Sequence, residues 1–369
     1  MTAARRREVR EEGPAKVVFL LQDLAFGGTQ RQALELARRL DPEKFEVQIW
    51  TLKGSDDFTP LAEEWGLTVQ KLGKRFINPV NLFRLWRRLK AEAPDLLVLF
   101  TVVPNIWGRV FGRLTKVPVI VANTRQSGNP KRQHEKLLKR FADHMICNAE
   151  SLKSLVVDDF GWDPDKVSVI HNGVDLENFT PPEQERPEDR QVVVQPARLV
   201  EDKDHKTLLK AFARVLERHG RAELWIVGNG PRRDAIRKYI RKNMPEDRVK
   251  LMPAQLDMAA LLHQADVLAL STHREGFPNV VAEAMASGLP VVATDVDGLA
   301  ELVEDEATGL LIPPRNERFF AAGLNRLLSN PEERAAFGKA GRERVAGNFS
   351  FSRMTQSHQD LFTALLGGE

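Results

Sequence analysis

The sequence predicts an α/β protein made of two doubly wound parallel sheets, each in its own domain. Short β-branched and leucine-rich runs alternate with amphipathic helical patterns, as in a parallel sheet covered by helices on both faces. The alternation breaks once, at the polar, charged and proline-rich stretch PPEQERPEDR over 181–190, and then begins again. At 369 residues the chain is long enough to bury two separate cores.

The start, MTAARRREVREEG, is basic and then acidic with no apolar stretch, so 1–14 reads as a flexible leader and not as a secretion signal. The first domain, 15–180, opens with the strand KVVFLLQ, the glycine pair of AFGGTQRQ and the helix TQRQALELARRL. The strands EVQIWTL, DLLVLF, VPVIVAN, HMICNA and KVSVIHN follow. After the linker at 181–190 comes the second domain, 191–350. It runs through the strand QVVVQPARL, a helix from about His205, the strand AELWIVGNG, a helix to about Lys242 and the strand RVKLMP. The next strand is ADVLALS, Ala265 to Ser271; then Gly276 and Pro278 break the chain, and Asn279 is of a type that caps. VVAEAMA continues as a helix closed by Ser287 and Gly288. The last stretch, 351–369, is an amphipathic helix expected to cross back to the first domain.

Composition narrows the class. The chain is 42% hydrophobic and 28% charged, ordinary for a soluble globular protein. Its net charge of +3 is small and its cations are mixed with almost as many acids, which disfavours nucleic acid as a partner. The longest apolar runs fall far short of the ~18 residues a membrane span needs. Cys147 is the only cysteine, which excludes an internal disulfide and a multi-cysteine metal site and fits a reducing cytoplasm. Two segments are locally basic, FRLWRRLK from Phe83 and KRQHEKLLKRF from Lys131. Each reads either as a solvated helix face packed by its leucines or as a contact with the anionic inner face of the plasma membrane.

The chemistry concentrates in STHREGFPNVVAEAMASGLPVVATD. A helix that opens directly after a strand's carboxyl end turns its unpaired N–H groups and positive dipole end toward the crevice above the sheet. Glu275 lies in that mouth, and Glu283, on the second turn, is placed to reach a second hydroxyl of an elongated ligand; the plainer alternative is one exposed loop acid and one helix-surface acid. Spaced glutamates alone are weak evidence, because about a quarter of any soluble chain is charged. Gly27 and Gly28 stand just before a helix, where they allow a ligand close to the backbone or simply make a tight turn. Arg198 ends one strand and Lys203 follows in the loop, two cations of the kind a departing diphosphate requires. In GNGPRR, Gly228 and Gly230 begin a dinucleotide fingerprint that Arg233 breaks, which disfavours a nicotinamide enzyme. The aspartate pairs Asp163/Asp165, Asp202/Asp204 and Asp295/Asp297 sit among turn residues, and no two histidines fall at a ligand spacing; no catalytic metal is expected.

Together these segments resemble the retaining glycosyltransferases of family 4, with two facing Rossmann-like domains and a cleft between them, the GT-B fold. FGGTQRQ, VIHNGVDLENF, PARLVEDK, IVGNGP, REGFPNVVAEAMASGLPVVATD, DGLAELV and TGLLIPP follow the family's order across nearly the whole chain. The resemblance implies a nucleotide-diphosphate sugar as donor, UDP-linked by family habit. The expected reaction is hexosyl or N-acetylhexosaminyl transfer, without a cofactor or metal, to a glycan or lipid-linked acceptor in polysaccharide or glycolipid synthesis. It implies that Arg198 and Lys203 hold the diphosphate, with Gly28 beside Gly27 approaching from the other domain, and that Glu283 contacts the ribose. Glu275 and the backbone of Gly276, Phe277, Pro278, Asn279 and Val280 would hold the sugar and distal phosphate. Asn229 and Gly230 would line the donor pocket, and Arg125 in VANTRQSG would face the acceptor or form a structural ion pair. The chain departs from the family pattern at Val103, where members often carry a histidine, at Pro253–Ala254, and at Asp297 before Gly298. The alternative of a nucleotide-sugar epimerase on the same scaffold would need a base beside the sugar carbon, which the sequence does not identify. A binding-only homologue is opposed by the presence of Arg198, Lys203, Glu275 and Glu283.

Overall fold

The computed structural model describes residues 13–54, 57–74, 76–125, 133–182, 190–255 and 257–367. Most of the expected leader and of the 181–190 linker lie outside the described residues, as do Lys131 and Arg132 of the second basic segment. The chain forms two compact units, Met1–Gly173 with Phe351–Glu369, and Val174–Ser350.

Unit 1 runs β1 (Ala15–Leu21), α1 (Gly28–Arg39), β2 (Phe45–Thr51), α2 (Thr59–Glu64), β3 (Thr68–Lys71), α3 (Pro79–Glu92) and β4 (Leu96–Leu99). It continues through α4 (Val102–Leu114), β5 (Val119–Thr124), α5 (Gln133–Leu138), β6 (His144–Cys147), α6 (Glu150–Ser154) and β7 (Val167–Val169). The strands pair in parallel in the order β3-β2-β1-β4-β5-β6-β7. Because side chains alternate across a strand, β1 sends Val17, Phe19 and Leu21 into one core and Val18 and Leu20 into the other. The edge strand β3, TVQK, has no counterpart among the expected strands, being four residues long with no buried position.

Unit 2 repeats the plan with β8 (Val192–Pro196), α7 (His205–Leu216), β9 (Glu223–Val227), α8 (Arg233–Asn243), β10 (Val249–Met252), α9 (Met258–Leu262) and β11 (Val267–Leu270). Then come α10 (Asn279–Ala286), β12 (Val291–Thr294), α11 (Leu299–Leu302), β13 (Gly309–Ile312), α12 (Glu317–Ser329) and α13 (Pro331–Asn348). The order β10-β9-β8-β11-β12-β13 makes this sheet doubly wound, with its reversal between β8 and β11. Unit 2 begins upstream of the expected linker, because Val174 and Phe179 are buried in its core with Leu176 packed against them. The final helix, α14 (Phe351–Gly367), belongs to unit 1, where Phe351, Met354, Phe362 and Leu366 enter the core and Phe362 meets Phe45 edge-on at 6.1 Å.

The second basic segment departs from a leucine-packed helix. On α5 it is Glu135 that is buried, against Arg109 at 2.7 Å, while Leu137 is 71% exposed. Periodicity predicts the leucine inward; the buried guanidinium on α4 takes the carboxylate instead.

Candidate functional site

The loops after β8 and β11 lie side by side at the carboxyl ends of unit 2's sheet, because their strands are neighbours at the reversal. This brings Lys203 to Glu275, 72 residues further along the chain, and the Lys203 ammonium donates to Glu275 Oε2. Both side chains are largely withdrawn from solvent, at 13% and 19% exposure. Burial, reinforced by the neighbouring Arg198 charge, pushes the Lys203 ammonium down to about 8, with Asp202 opposing. Arg198 itself is exposed.

Backbone and short polar side chains tie the two loops together. The His273 N–H and the Thr272 hydroxyl both donate to the Asp202 carbonyl, at 2.8 and 2.9 Å, and Arg274 Nη2 reaches Asp202 Oδ1 at 3.2 Å. Thr272 is fully buried, and its own N–H is held by Thr294 Oγ1 at 3.0 Å. The Glu275 carbonyl accepts from the Gly298 N–H at 3.2 Å, fixing the loop from the β12 side. Asp297 has φ +38°, a left-handed conformation that glycine adopts freely and aspartate tolerates. Asp204 caps α7 by accepting from the Thr207 N–H at 3.3 Å, the turn role its sequence context suggests. Thr272 and Thr294 were not singled out from sequence, and Asp202 was read only as a turn residue; buried threonines at strand ends look like core residues until their partners are known.

Gly228 and Gly230 owe their identity to packing. A Cβ on Gly228 would lie 2.0 Å from the Ala197 carbonyl oxygen, and one on Gly230 would lie 2.4 Å from that of Leu199. The Leu199 N–H donates to the Asn229 carbonyl at 2.9 Å, so Asn229 and Gly230 lie directly against the loop that carries Arg198 and Lys203. Arg233, in the third-glycine position, donates to the carbonyls of Gly228, Met252 and Leu251 at 3.2–3.3 Å, tying the ends of β9 and β10 together.

In the glutamate segment, Gly276 and Phe277 are buried, and the Phe277 ring packs on Phe349 at 5.4 Å. Phe277 therefore offers a ligand its backbone, its side chain being part of the core. Asn279 is the first residue of α10, and the capping position falls on Pro278, whose side chain makes no cap hydrogen bond. The Pro278 carbonyl accepts from the Val281 N–H at 2.9 Å, so the chain turns helical one residue earlier than a cap at Asn279 requires. Val280 is partly buried against the core, and Glu283 is half-buried on the second turn. The helix ends as expected: Gly288 has φ +71°, and the Gly288 and Leu289 N–H groups donate to Met285 and Ala284 carbonyls at 3.0 and 2.9 Å.

In unit 1, Gly27 precedes α1 in extended conformation and Gly28 is its first residue. The preceding turn is organised by Asp23, which the sequence did not single out. Its buried carboxylate accepts from Lys53 at 3.1 Å, Gln30 at 3.0 Å and the Ala25 N–H at 3.2 Å. Burial opposes its charge, but these partners together hold its carboxyl below the usual range. Arg125 donates to Asn172 Oδ1 at 2.6 Å and lies 5.3 Å from the Phe100 ring centroid, in place of the ion pair considered from sequence. Val103 is on the first turn of α4, packed against the core. Among the described residues no helix is long and apolar enough to cross a membrane.

Residues 26–178 match the family model Glycosyltransferase Family 4, and residues 177–344 match Glycosyl transferases group 1. A D-inositol 3-phosphate glycosyltransferase of Kineococcus radiotolerans is 32% identical over 58% of this chain, a match that spans only 55% of that protein's length. Its Salinispora tropica counterpart is 28% identical over 91% of this chain and 80% of its own. The Anabaena protein HepE, solved in complex with UDP and glucose, superposes with a TM-score of 0.84 at 19% identity, covering 95% of this chain and all of that one (100%).

Proposed function

Since this chain belongs to the family 4 glycosyltransferases with the GT-B fold, we propose that unit 2 binds a nucleotide-diphosphate sugar and that the enzyme transfers the sugar with retention to a glycan or lipid-linked acceptor. The observation that carries this reading is the meeting of Lys203 and Glu275 at the reversal of the second sheet, below the start of α10. As the glycosidic bond breaks, electrons pass to the bridging phosphate oxygen while positive charge develops at the sugar carbon and ring oxygen. Lys203 and Arg198 stabilise the departing diphosphate. Glu275 stands beside them to accept from a sugar hydroxyl, and the N–H groups at the start of α10 face the distal phosphate. Retention follows when the acceptor attacks the face the diphosphate leaves; no metal is needed, because the two cations carry the leaving charge. Glu283 serves the ribose hydroxyls. UDP is the favoured carrier, supported by the UDP complex of HepE, and the transferred sugar is of hexosyl or N-acetylhexosaminyl type.

The acceptor's setting is read from α3. Phe76, Val80 and Phe83 are 68%, 56% and 57% exposed, and Arg84, Arg87 and Lys90 are exposed beside them. Apolar tips ringed by cations suit peripheral contact with an anionic lipid surface; co-sedimentation with phosphatidylserine vesicles, lost on Phe83→Ser, is the expected outcome.

A thermal-shift screen against UDP, GDP, ADP and NAD tests the core of the proposal. A ligand at a hundred times its Kd adds about 2.7 kcal/mol, or several degrees for domains of this size. A selective rise with one nucleoside diphosphate, followed by chelator-insensitive transfer with the anomeric configuration kept by NMR, is expected. A rise with NAD alone would overturn the reading.

A further inference from the structure

Among the described residues, unit 1 buries three acids, and each has its cation. Asp23 meets Lys53; Glu35 is bonded to Arg31, Arg38 and Arg39; Glu135 meets Arg109. Arg125 is the reverse case, a cation set into the domain with no acid beside it among the described residues. Its contacts are the Asn172 amide oxygen, at 2.6 Å, and the Phe100 ring. Its Nε is out of reach of solvent and has no partner. Burial alone, with no carboxylate to offset it, pushes the guanidinium down to about 10.

Among the described residues the groups facing it are neutral. Val119 and Val121 of β5 enter the core beneath α1 and α14, so by alternation Asn123 and Arg125 lie on that same face. Phe100 follows β4, and Asn172 follows β7, two residues beyond the buried Ile170. From α14 comes His358, fully buried, its Nδ1 bonded to the Met354 carbonyl at 2.8 Å. Burial and Arg125 together hold His358 down at about 3, so it brings no charge. Asn123 leaves Oδ1 and Nδ2, and Asn148, after β6, leaves Oδ1, buried without partners.

A partly buried cation whose Nε is shut off from solvent and has no acid beside it is costly to hold, and the cost falls when an anion meets it. We propose that Arg125 is the anion-recognising residue of a ligand site at the carboxyl ends of β4–β7 in unit 1, and that the acceptor carries a phosphate or carboxylate group there. The assignment of that ligand as the acceptor rests on the transferase reading; the anion site does not. The unpartnered Asn123 and Asn148 amide groups suit the hydroxyls of the same molecule.

The test compares melting temperatures of the full chain and of Arg125→Met in sodium phosphate, sodium acetate and sodium chloride at equal ionic strength. Phosphate stabilises proteins generally by exclusion, so the readout is the difference between the two proteins. The wild type is expected to gain about 2 °C or more over the variant's response in phosphate or in acetate, the effective salt naming the acid group. Arg125→Met itself is expected to melt no lower than the wild type in chloride, since it removes an uncompensated charge. An equal anion response in both proteins overturns the proposal, as does a large fall in the variant's melting temperature in chloride, which marks a structural partner. If the methionine variant fails to fold, Arg125→Gln takes its place under the same criteria. UDP is run in parallel: a missing UDP response with the phosphate difference intact strikes the donor reading and leaves the anion site standing.

Discussion

Lys203→Met and Glu275→Gln, alone and together, probe the pair on which the donor site is built. Breaking a fully buried ion pair by removing one partner costs about 3–5 kcal/mol, whereas an exposed pair contributes about 0–1 kcal/mol. With the side chains at 13% and 19% exposure, each single substitution is expected to cost unit 2 about 2–3 kcal/mol. The two costs differ in origin. Lys203→Met leaves a carboxylate without its cation at any neutral pH. Glu275→Gln leaves an ammonium that the protein already holds at about 8, so its cost shrinks as the pH passes 8 and the amine sheds its proton. The double variant retains neither isolated charge and is expected to be more stable than the sum of the singles by about 1–3 kcal/mol. Native-state hydrogen exchange on peptides spanning β8 and β11 reads the local stability without assuming that the two units unfold together. Additivity within about 0.5 kcal/mol would show that the pair carries no coupling and would refute the reasoning. Donor binding separates the roles further: Lys203→Met is expected to weaken UDP about 10- to 100-fold, the worth of a charge-assisted hydrogen bond, while Glu275→Gln leaves UDP bound and abolishes transfer.

Four further outcomes follow from the structure. The Lys203 amine loses its proton near pH 8 in the free protein, so UDP affinity is expected to fall as the pH rises through 8, with proton uptake on binding in calorimetry across buffers of different ionisation enthalpy; Lys203→Arg should flatten the profile. Its folded value lies below the ordinary 10.5, so between these two values the unfolded chain binds more protons and ligand-free stability should rise with pH. Gly230→Ala puts a methyl 2.4 Å from the Leu199 carbonyl oxygen; a shift of about 1 Å in the Arg198–Lys203 loop costs transfer roughly 100-fold, measured as kcat/KM, and a fully active variant would refute the close-approach role. Glu135→Gln isolates the buried Arg109, both side chains being at most 3% exposed, and should destabilise unit 1 by about 3–5 kcal/mol in hydrogen exchange, whereas Arg109→Met with Glu135→Leu should recover most of that loss.

The two-sheet architecture was legible because the signal is local and repeated: buried strands such as VVFL and VLAL are apolar enough to be seen without knowing their neighbours. Helix ends governed by a backbone requirement were equally readable, as at Gly288. Local patterns failed where a distant partner overrode them. Glu135 goes inside and Leu137 outside because Arg109 lies on another helix, and β3 exists because β2 offers a free edge.

By itself, then, the sequence determined the fold class and the chemical inventory of the candidate site, the cations after one strand and the glutamates around the start of one helix. Only the tertiary structure decided which of these meet. The parallel order β10-β9-β8-β11 sets Lys203 against Glu275 across 72 residues, and the packing of that unit sinks the Phe277 ring into the core. In unit 1, packing leaves Arg125 with no acid beside it among the described residues. The physical reason is that propensity and patterning act within a few residues, whereas charge compensation and burial depend on neighbours that only the sheet order brings together.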